Sequence, residues 1–196
     1  MRHYDIKPLS EETLLQAQGY IDRIAKPLGS MGRLEGLAAR LAAIQDTLRP
    51  ELSPREHFVF AADHGIAEED ISKSPKEVTR QVVYSMLRGG AGICFLCRQH
   101  DFRLHLVDVG VDHDFGDEPQ LMHRKLRHGT RSYLREAAMT EEEATKALEI
   151  GERCVNEALE RGCRLLSFGE MGITNTSSSA LWMYYLTDLP LEACAR

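Results

Sequence analysis

Residues Leu165 to Leu181 read LLSFGEMGITNTSSSAL. An apolar run meets Gly169, then an acid, then a cluster of amides and hydroxyls, then a second apolar run. Apolar residues of this kind, preceded by Gly162 and ending at a glycine, predict a strand over Cys163 to Phe168. The polar cluster predicts a loop from Gly169 to Ser177, and the second apolar run predicts a helix starting near Ser178. Two physical readings of the loop stand side by side. Small polar residues can cap a helix and close a turn, with Thr176 or Ser178 as the cap. They can also cradle a phosphate, because two glycines admit a close ligand and a helix start offers free N–H groups and the positive end of a dipole. The stretch matches neither the Walker pattern nor the GxGxxG fingerprint. Glu170 is unfavourable beside a phosphate unless it has another task, such as holding a ribose hydroxyl or taking a proton.

Working outward, two further stretches resemble the first. HFVFAA (His57 to Ala62) is a short apolar run ending in Asp63-His64-Gly65, and RLHLVDVG (Arg103 to Gly110) ends in acids and glycine. Between the strands lie helical patterns. One runs from about Glu77 to Leu87, with Val78, Val82, Val83 and Met86 expected in the core. Another follows RGGAG (Arg88 to Gly92) as far as Gln99. A third opens at Thr140, where Glu143 completes a capping box, and stops at Gly162. Alternating strands and helices predict an α/β fold with a mainly parallel, Rossmann-like sheet flanked by helices. In such sheets ligands gather at the carboxyl ends of the strands, where all three polar loops fall.

The first 52 residues differ. Ser10 is a candidate cap for a helix to about Ala25. KPLGSMGRLE (Lys26 to Glu35) interrupts it, and Leu34, Leu37, Ala38, Leu41, Ile44 and Leu48 mark the face of a second helix. Residues 1–52 are therefore expected to form a small helical segment, and residues 53–196 the α/β core. Lys26 and Arg33 flank a turn that suits either an anion contact or a surface salt bridge.

Composition sets outer bounds. The chain has 196 residues, 43% hydrophobic and 28% charged, which suits a globular protein with a sizeable core. A net charge of -6 gives no global basic field for nucleic acid. No apolar run approaches the roughly 20 residues of a membrane helix. The N-terminus lacks a signal-peptide pattern, and five cysteines form no secreted framework, so reduced thiols and a cytoplasmic location are expected. Cys94 and Cys97 form a CxxC inside a helical pattern, which reads as two core thiols rather than zinc or redox chemistry. Asp63 and His64 suit acid–base work, or Asp63 bonds loop amides structurally. Asp108, Asp112, Asp114, Asp117 and Glu118 lack EF-hand spacing and read as a solvated loop with Asp108 turned inward. No metal site is expected.

KPLGSMGRLE, VFAADHGIAEEDISKSPKEVT, RGGAGI, VDVGVD, GTRSYLREAAMTEEEA and GEMGITNTSSSA occur in this order. Together they resemble the nicotinate-nucleotide–dimethylbenzimidazole phosphoribosyltransferase family of cobalamin biosynthesis, from about Lys26 to Ala195. The resemblance implies phosphoribosyl transfer from nicotinate mononucleotide to a benzimidazole, with no cofactor. It implies Glu170 near the ribose and reacting groups, and Gly169, Gly172, Asn175, Thr176 and Ser177 around the nucleotide. It places Asp63, His64 and Ser74 near the base acceptor, and it implies a homodimer. The family continues well beyond the position of Arg196, with a lysine near the phosphate and the main general-base glutamate. The resemblance thus implies that this chain has an incomplete sheet and, alone, is inactive or dependent on a partner.

Overall fold

A computed structural model describes residues 4–195. The chain divides between Leu52 and Ser53 into two compact units.

The first unit is a pair of helices, α1 (Glu11–Arg23) and α2 (Arg33–Gln45). Ser10 caps α1, its Oγ accepting from Thr13 N at 3.2 Å. Ala17, Ala39 and Ala42 form the contact, flanked by Leu14 and Ile21. This corrects the expected face of α2. Leu34, Leu37, Ala38, Ile44 and Leu48 are exposed and Leu41 is half-buried, while Ala39, Ala42 and Ala43 are buried. A two-helix unit covers one face of each helix, and small side chains allow the closer approach. The turn between them holds a salt bridge, Lys26 to Glu35 at 2.7 Å, but with both side chains largely buried rather than at the surface as the second reading had it.

The second unit is a four-stranded parallel sheet in the order β3-β2-β1-β4. Its strands are β1 (Arg55–Ala62), β2 (Phe102–Gly110), β3 (Leu121–His123) and β4 (Leu165–Met171). β3 went unread in the sequence because three residues carry no usable period. A short 3-10 turn (Gly65–Glu69), α3 (Val78–Leu87) and α4 (Gly92–Gln99) connect β1 to β2. α5 (Glu141–Glu160) precedes β4, and α6 (Asn175–Leu186) and α7 (Leu191–Cys194) follow it. The capping box forms: Glu143 N donates to Thr140 Oγ1 at 3.1 Å, and Thr140 N to Glu143 Oε2 at 2.7 Å.

Alternate strand residues face opposite sides, so the unit has a core on each face of the sheet. Val59, Ala61 and Leu106 pack with Val83, Val111 and Phe115 on one face. Phe58 and Val107 pack with Ile150, Cys154 and Ala158 of α5 on the other. Of the four α3 positions expected in the core, Val83 is buried and Val78, Val82 and Met86 are half-buried. All five cysteines are free and buried. No helix among the described residues is long and apolar enough to cross a membrane.

At the opening stretch the structure differs from expectation in two places. β4 continues through Gly169 and Glu170 to Met171, and α6 starts at Asn175 rather than near Ser178. Pairing with β1, Val59 to Gly169 and Phe60 to Glu170, holds the extra residues extended. The helix cap is Thr174, in the left-handed region with φ 72°, and no side chain caps the helix. The loop is thereby shortened to Gly172, Ile173 and Thr174.

Candidate active site

The strand order locates the site. A parallel sheet ordered 3-2-1-4 reverses its winding between β1 and β4, and such a reversal opens a crevice at the carboxyl ends of those two strands. Asp63 and His64 leave β1 there, and Gly172 leaves β4. Gly172 is buried, and a Cβ on it would stand 2.3 Å from Ala62 O and 2.7 Å from the His64 ring. Its missing side chain is what lets the two loops close on each other. Ile173 N donates to Thr79 Oγ1 at 3.1 Å, and Thr79 is fully buried on α3. Three elements thus converge behind this loop.

Glu170 and Asn175 face one another across the loop: Asn175 Nδ2 donates to Glu170 Oε1. Partial loss of hydration at the strand end pushes the Glu170 carboxyl above its ordinary range, and the Asn175 hydrogen bond opposes the shift. Asn175 N donates back to Gly172 O at 3.1 Å. Ser177 is turned inward, its Oγ donating to Thr174 O at 2.8 Å, whereas Thr176 is exposed. Gly169 lies within the strand, where an added Cβ would sit 3.2 Å from His57 Nε2.

Asp63 is 5% exposed. Its Oδ2 accepts from Asp112 N at 2.7 Å, tying the end of β1 to the loop after β2. Its Oδ1 has no partner among the described residues. Burial lowers the His64 pKa and Asp63 opposes the shift; the net effect favours the neutral ring. Asp108 is buried as expected, accepting from Gly110 N and Val111 N and meeting Lys125 at 3.2 Å. Ser74 lies on an exposed loop, its N–H held by Ser72 Oγ at 3.1 Å. Two residues on, Lys76 meets Asp112 at 2.9 Å and anchors that loop. Among the described residues no three His, Cys, Asp or Glu side chains are grouped to hold a metal.

Residues without an assigned role in the sequence enlarge the site. A cavity of about 580 Å³ opens beside His64, lined by Ile66, Tyr133, Met139, Trp182 and Tyr185. A second, of about 520 Å³, lies between Phe60, Val109 and α5, and shares His64, Thr130 and Met139 with the first. Thr130 Oγ1 accepts from Gly65 N at 3.1 Å, and Ser132 Oγ donates to Glu69 at 2.9 Å. The block GTRSYLREAAMTEEEA signalled Thr130, Ser132, Tyr133 and Met139 without a task, VFAADHGIAEEDISKSPKEVT did the same for Phe60, Ile66 and Glu69, and no quoted block reached Trp182 or Tyr185.

Fold and crevice together define an α/β protein of Rossmann-like architecture with a candidate small-molecule site at the β1/β4 switch point. A family profile described as "Phosphoribosyltransferase" matches residues 6–196. The chain is 54% identical over 178 residues to a nicotinate-nucleotide–dimethylbenzimidazole phosphoribosyltransferase of Parabacteroides distasonis, covering 90% of this chain and 51% of that protein. It is 47% identical to one of Geobacter sulfurreducens, covering 96% of this chain and 53% of the relative. The crystal structure of CobT from Thermus thermophilus superposes with a TM-score of 0.89 at 42% identity, covering 93% of this chain and 55% of that one. The chain belongs to the nicotinate-nucleotide–dimethylbenzimidazole phosphoribosyltransferase family. It spans about half the length of the curated relatives it matches.

Proposed function

We propose that this protein serves phosphoribosyl transfer from nicotinate mononucleotide to 5,6-dimethylbenzimidazole or a related base, giving α-ribazole 5′-phosphate and nicotinate. The C1′–N bond to nicotinate breaks, a C1′–N bond to the incoming base forms, and the ring proton of the base is released to solvent. Family membership supports the reading, and one observation carries it onto the geometry: His64 and Gly172 meet at the switch point, joining two motif blocks in one crevice. In this reading Glu170 faces the ribose, where a carboxylate stabilises charge building as nicotinate leaves. Gly169, Gly172, Asn175, Thr176 and Ser177 surround the nucleotide, and Asp63, His64 and Ser74 border the base. The same reading makes residues 1–52 a helical appendage to the catalytic unit 53–196. It also makes the protein a cytoplasmic homodimer without a cofactor; five unpaired cysteines accord with a reducing compartment.

A second reading has its own support, the coverage of about half of each relative. In it the chain binds nucleotide or base but turns over only with a further polypeptide. Incubation with nicotinate mononucleotide and 5,6-dimethylbenzimidazole, followed by chromatography of the products, separates the two. Turnover by the chain alone establishes the first. Binding without turnover establishes the second. Neither, in a folded sample, removes both.

A further inference from the structure

Past Met171 the pairing of β4 with β1 ends, so the backbone N–H of Ile173 needs a partner from elsewhere. It finds one on α3. Ile173 N donates to Thr79 Oγ1 at 3.1 Å, across 94 positions of sequence. Thr79 is 0% exposed, a hydroxyl wholly removed from water. A buried threonine on a helix ordinarily bonds the backbone near its own position. Here its oxygen holds a different element. The anchor is rigid, because Val83, one turn further along α3, is locked in the core with Val59 and Ala61.

The loop has little else to hold it. Among the described residues, every other hydrogen bond of Ile173, Thr174 and Asn175 stays between Glu170 and Ser179. Thr174 lies in the left-handed region and no side chain caps α6, so the shape of the loop is imposed from outside. Yet this loop sets Asn175 against Glu170. The start of α3 fixes a neighbouring loop as well. Lys76, two residues before the helix, meets Asp112 at 2.9 Å, and Asp112 N donates to Asp63 Oδ2 at 2.7 Å.

We infer that Thr79 is a positioning residue: its hydroxyl oxygen, through the Ile173 N–H, holds the loop that keeps Asn175 against Glu170 and sets where both stand relative to Asp63 and His64. Buried as it is, Thr79 touches no ligand. The inference deepens the proposed function and rests on it only for nucleotide binding.

Thr79→Val and Thr79→Ser separate the hydroxyl from the volume. Valine keeps the shape and removes the acceptor, leaving the Ile173 N–H buried without a partner. Serine keeps the acceptor and removes a buried methyl. Circular dichroism shows whether each variant is folded, and every other reading is taken below the lowest midpoint. Those readings are the exchange rate of the Ile173 amide and the side-chain amide signal of Asn175, both by NMR, and the affinity for nicotinate mononucleotide by calorimetry. In Thr79→Val the Ile173 amide exchanges at least about tenfold faster, the Asn175 signal moves to that of a free amide, and nucleotide binding weakens at least about tenfold. In Thr79→Ser the Asn175 signal stays in place and the two rates and affinities stay within about twofold of the parent, although the melting temperature falls. A merely structural threonine gives another pattern: both variants melt earlier and neither moves the Asn175 signal or the affinity. That result overturns the inference. So does a Thr79→Ser protein that matches Thr79→Val, which makes volume the cause. If Thr79→Val does not fold, the Ile173 amide decides: slow exchange in the parent and in Thr79→Ser supports the inference, and exchange at the rate of an exposed amide overturns it. A parent that binds no nucleotide refutes the proposed function, while the two amide signals still decide what holds the loop.

Discussion

Gly172→Ala tests whether this loop is shaped by packing or by a ligand. The sequence presented Gly172 as a cradle glycine, whose absent side chain makes room for a phosphate. In the structure that room is already taken: the new methyl would stand 2.3 Å from Ala62 O and 2.7 Å from two atoms of the His64 ring. Cβ atoms do not approach a carbonyl oxygen so closely, and Ala62 O is backbone at the end of a central strand, so it yields only if β1 and β4 part. Overpacking costs roughly 1–3 kcal/mol, and a rigid backbone neighbour puts this case near the upper end, about 3 kcal/mol. At about 2–4 °C per kcal/mol for a chain of this size, the melting temperature falls by about 6–12 °C. Gly151→Ala is the matched control. Gly151 is inside α5 with nothing within 4 Å of its added Cβ, so alanine raises stability by about 0.5–1 kcal/mol. Thermal unfolding by circular dichroism reads both, with nicotinate mononucleotide binding measured below the lower midpoint. A Gly172→Ala protein that melts within about 2 °C of its parent but has lost the nucleotide refutes the packing argument and restores the cradle glycine.

Three further outcomes follow from the charged groups. Glu170→Gln lowers any turnover of the chain or its complex, and unchanged turnover removes Glu170 from the mechanism; because partial loss of hydration holds the folded carboxyl above its ordinary value of 4.5, the folded state binds more protons there, so the parent loses stability relative to the glutamine variant as pH rises through that window. Glu56, 2% exposed, accepts from Arg161 at 2.6 and 3.0 Å and meets His105 at 2.8 Å, so Glu56→Gln costs about 1–3 kcal/mol in urea unfolding at pH 7. Its carboxyl is held below the ordinary range chiefly by the Arg161 hydrogen bond, so the parent's advantage is present above that range and is lost as pH falls through the lowered value; an advantage that persisted at the acid end would show the pair is not what stabilises this corner. Lys76→Met breaks an exposed ion pair and costs less than about 1 kcal/mol, vanishing in high salt, and a loss above about 2 kcal/mol would mean that Lys76 anchors far more than its own loop.

How much of this was legible in the sequence depended on whether the deciding interaction was local. The Thr140–Glu143 box, the Ser10 cap and the three longer strands were readable because each rests on neighbours within a few residues. The face of α2 was not, because leucine periodicity marks an apolar stripe without saying whether anything covers it. The end of β4 was misplaced because Gly169 reads as a loop residue, whereas pairing with Val59, more than a hundred positions away in the chain, keeps it extended. Thr174 in a left-handed cap has no composition signal at all, since threonine is β-branched and avoids that region. Of the site, the two polar loops were visible as motifs. Their contact was not, because it depends on the strand order that places β4 beside β1.

That strand order also separates two kinds of polar group. At the amino ends of β1, β2 and β4, buried polar side chains are mutually satisfied: Glu56 with Arg161 and His105, and His57 Nδ1 with Ser167 Oγ at 2.6 Å. At the carboxyl ends Asp108 is likewise satisfied, but three other groups are left in conflict. Asp63 Oδ1 is buried without a partner among the described residues, Glu170 is held above its ordinary range, and Thr174 starts a helix in a conformation that disfavours it. A sequence selected for stability alone would resolve these conflicts as it has resolved those at the other end. Concentrating them at the adjacent carboxyl ends of β1 and β4, where the winding of the sheet reverses, is what a site for binding and charge stabilisation would require. On the proposed reading Asp63 works with Glu170 in the crevice, although its Oδ2 also does structural duty. Asp63→Asn therefore ought to reduce base or nucleotide binding more than it reduces stability, because the amide keeps the volume and the Oδ2 contact to Asp112 N while changing what is offered to a ligand at the unpartnered position. A variant that loses stability and leaves binding of both substrates unchanged would return Asp63 to the role of a loop aspartate.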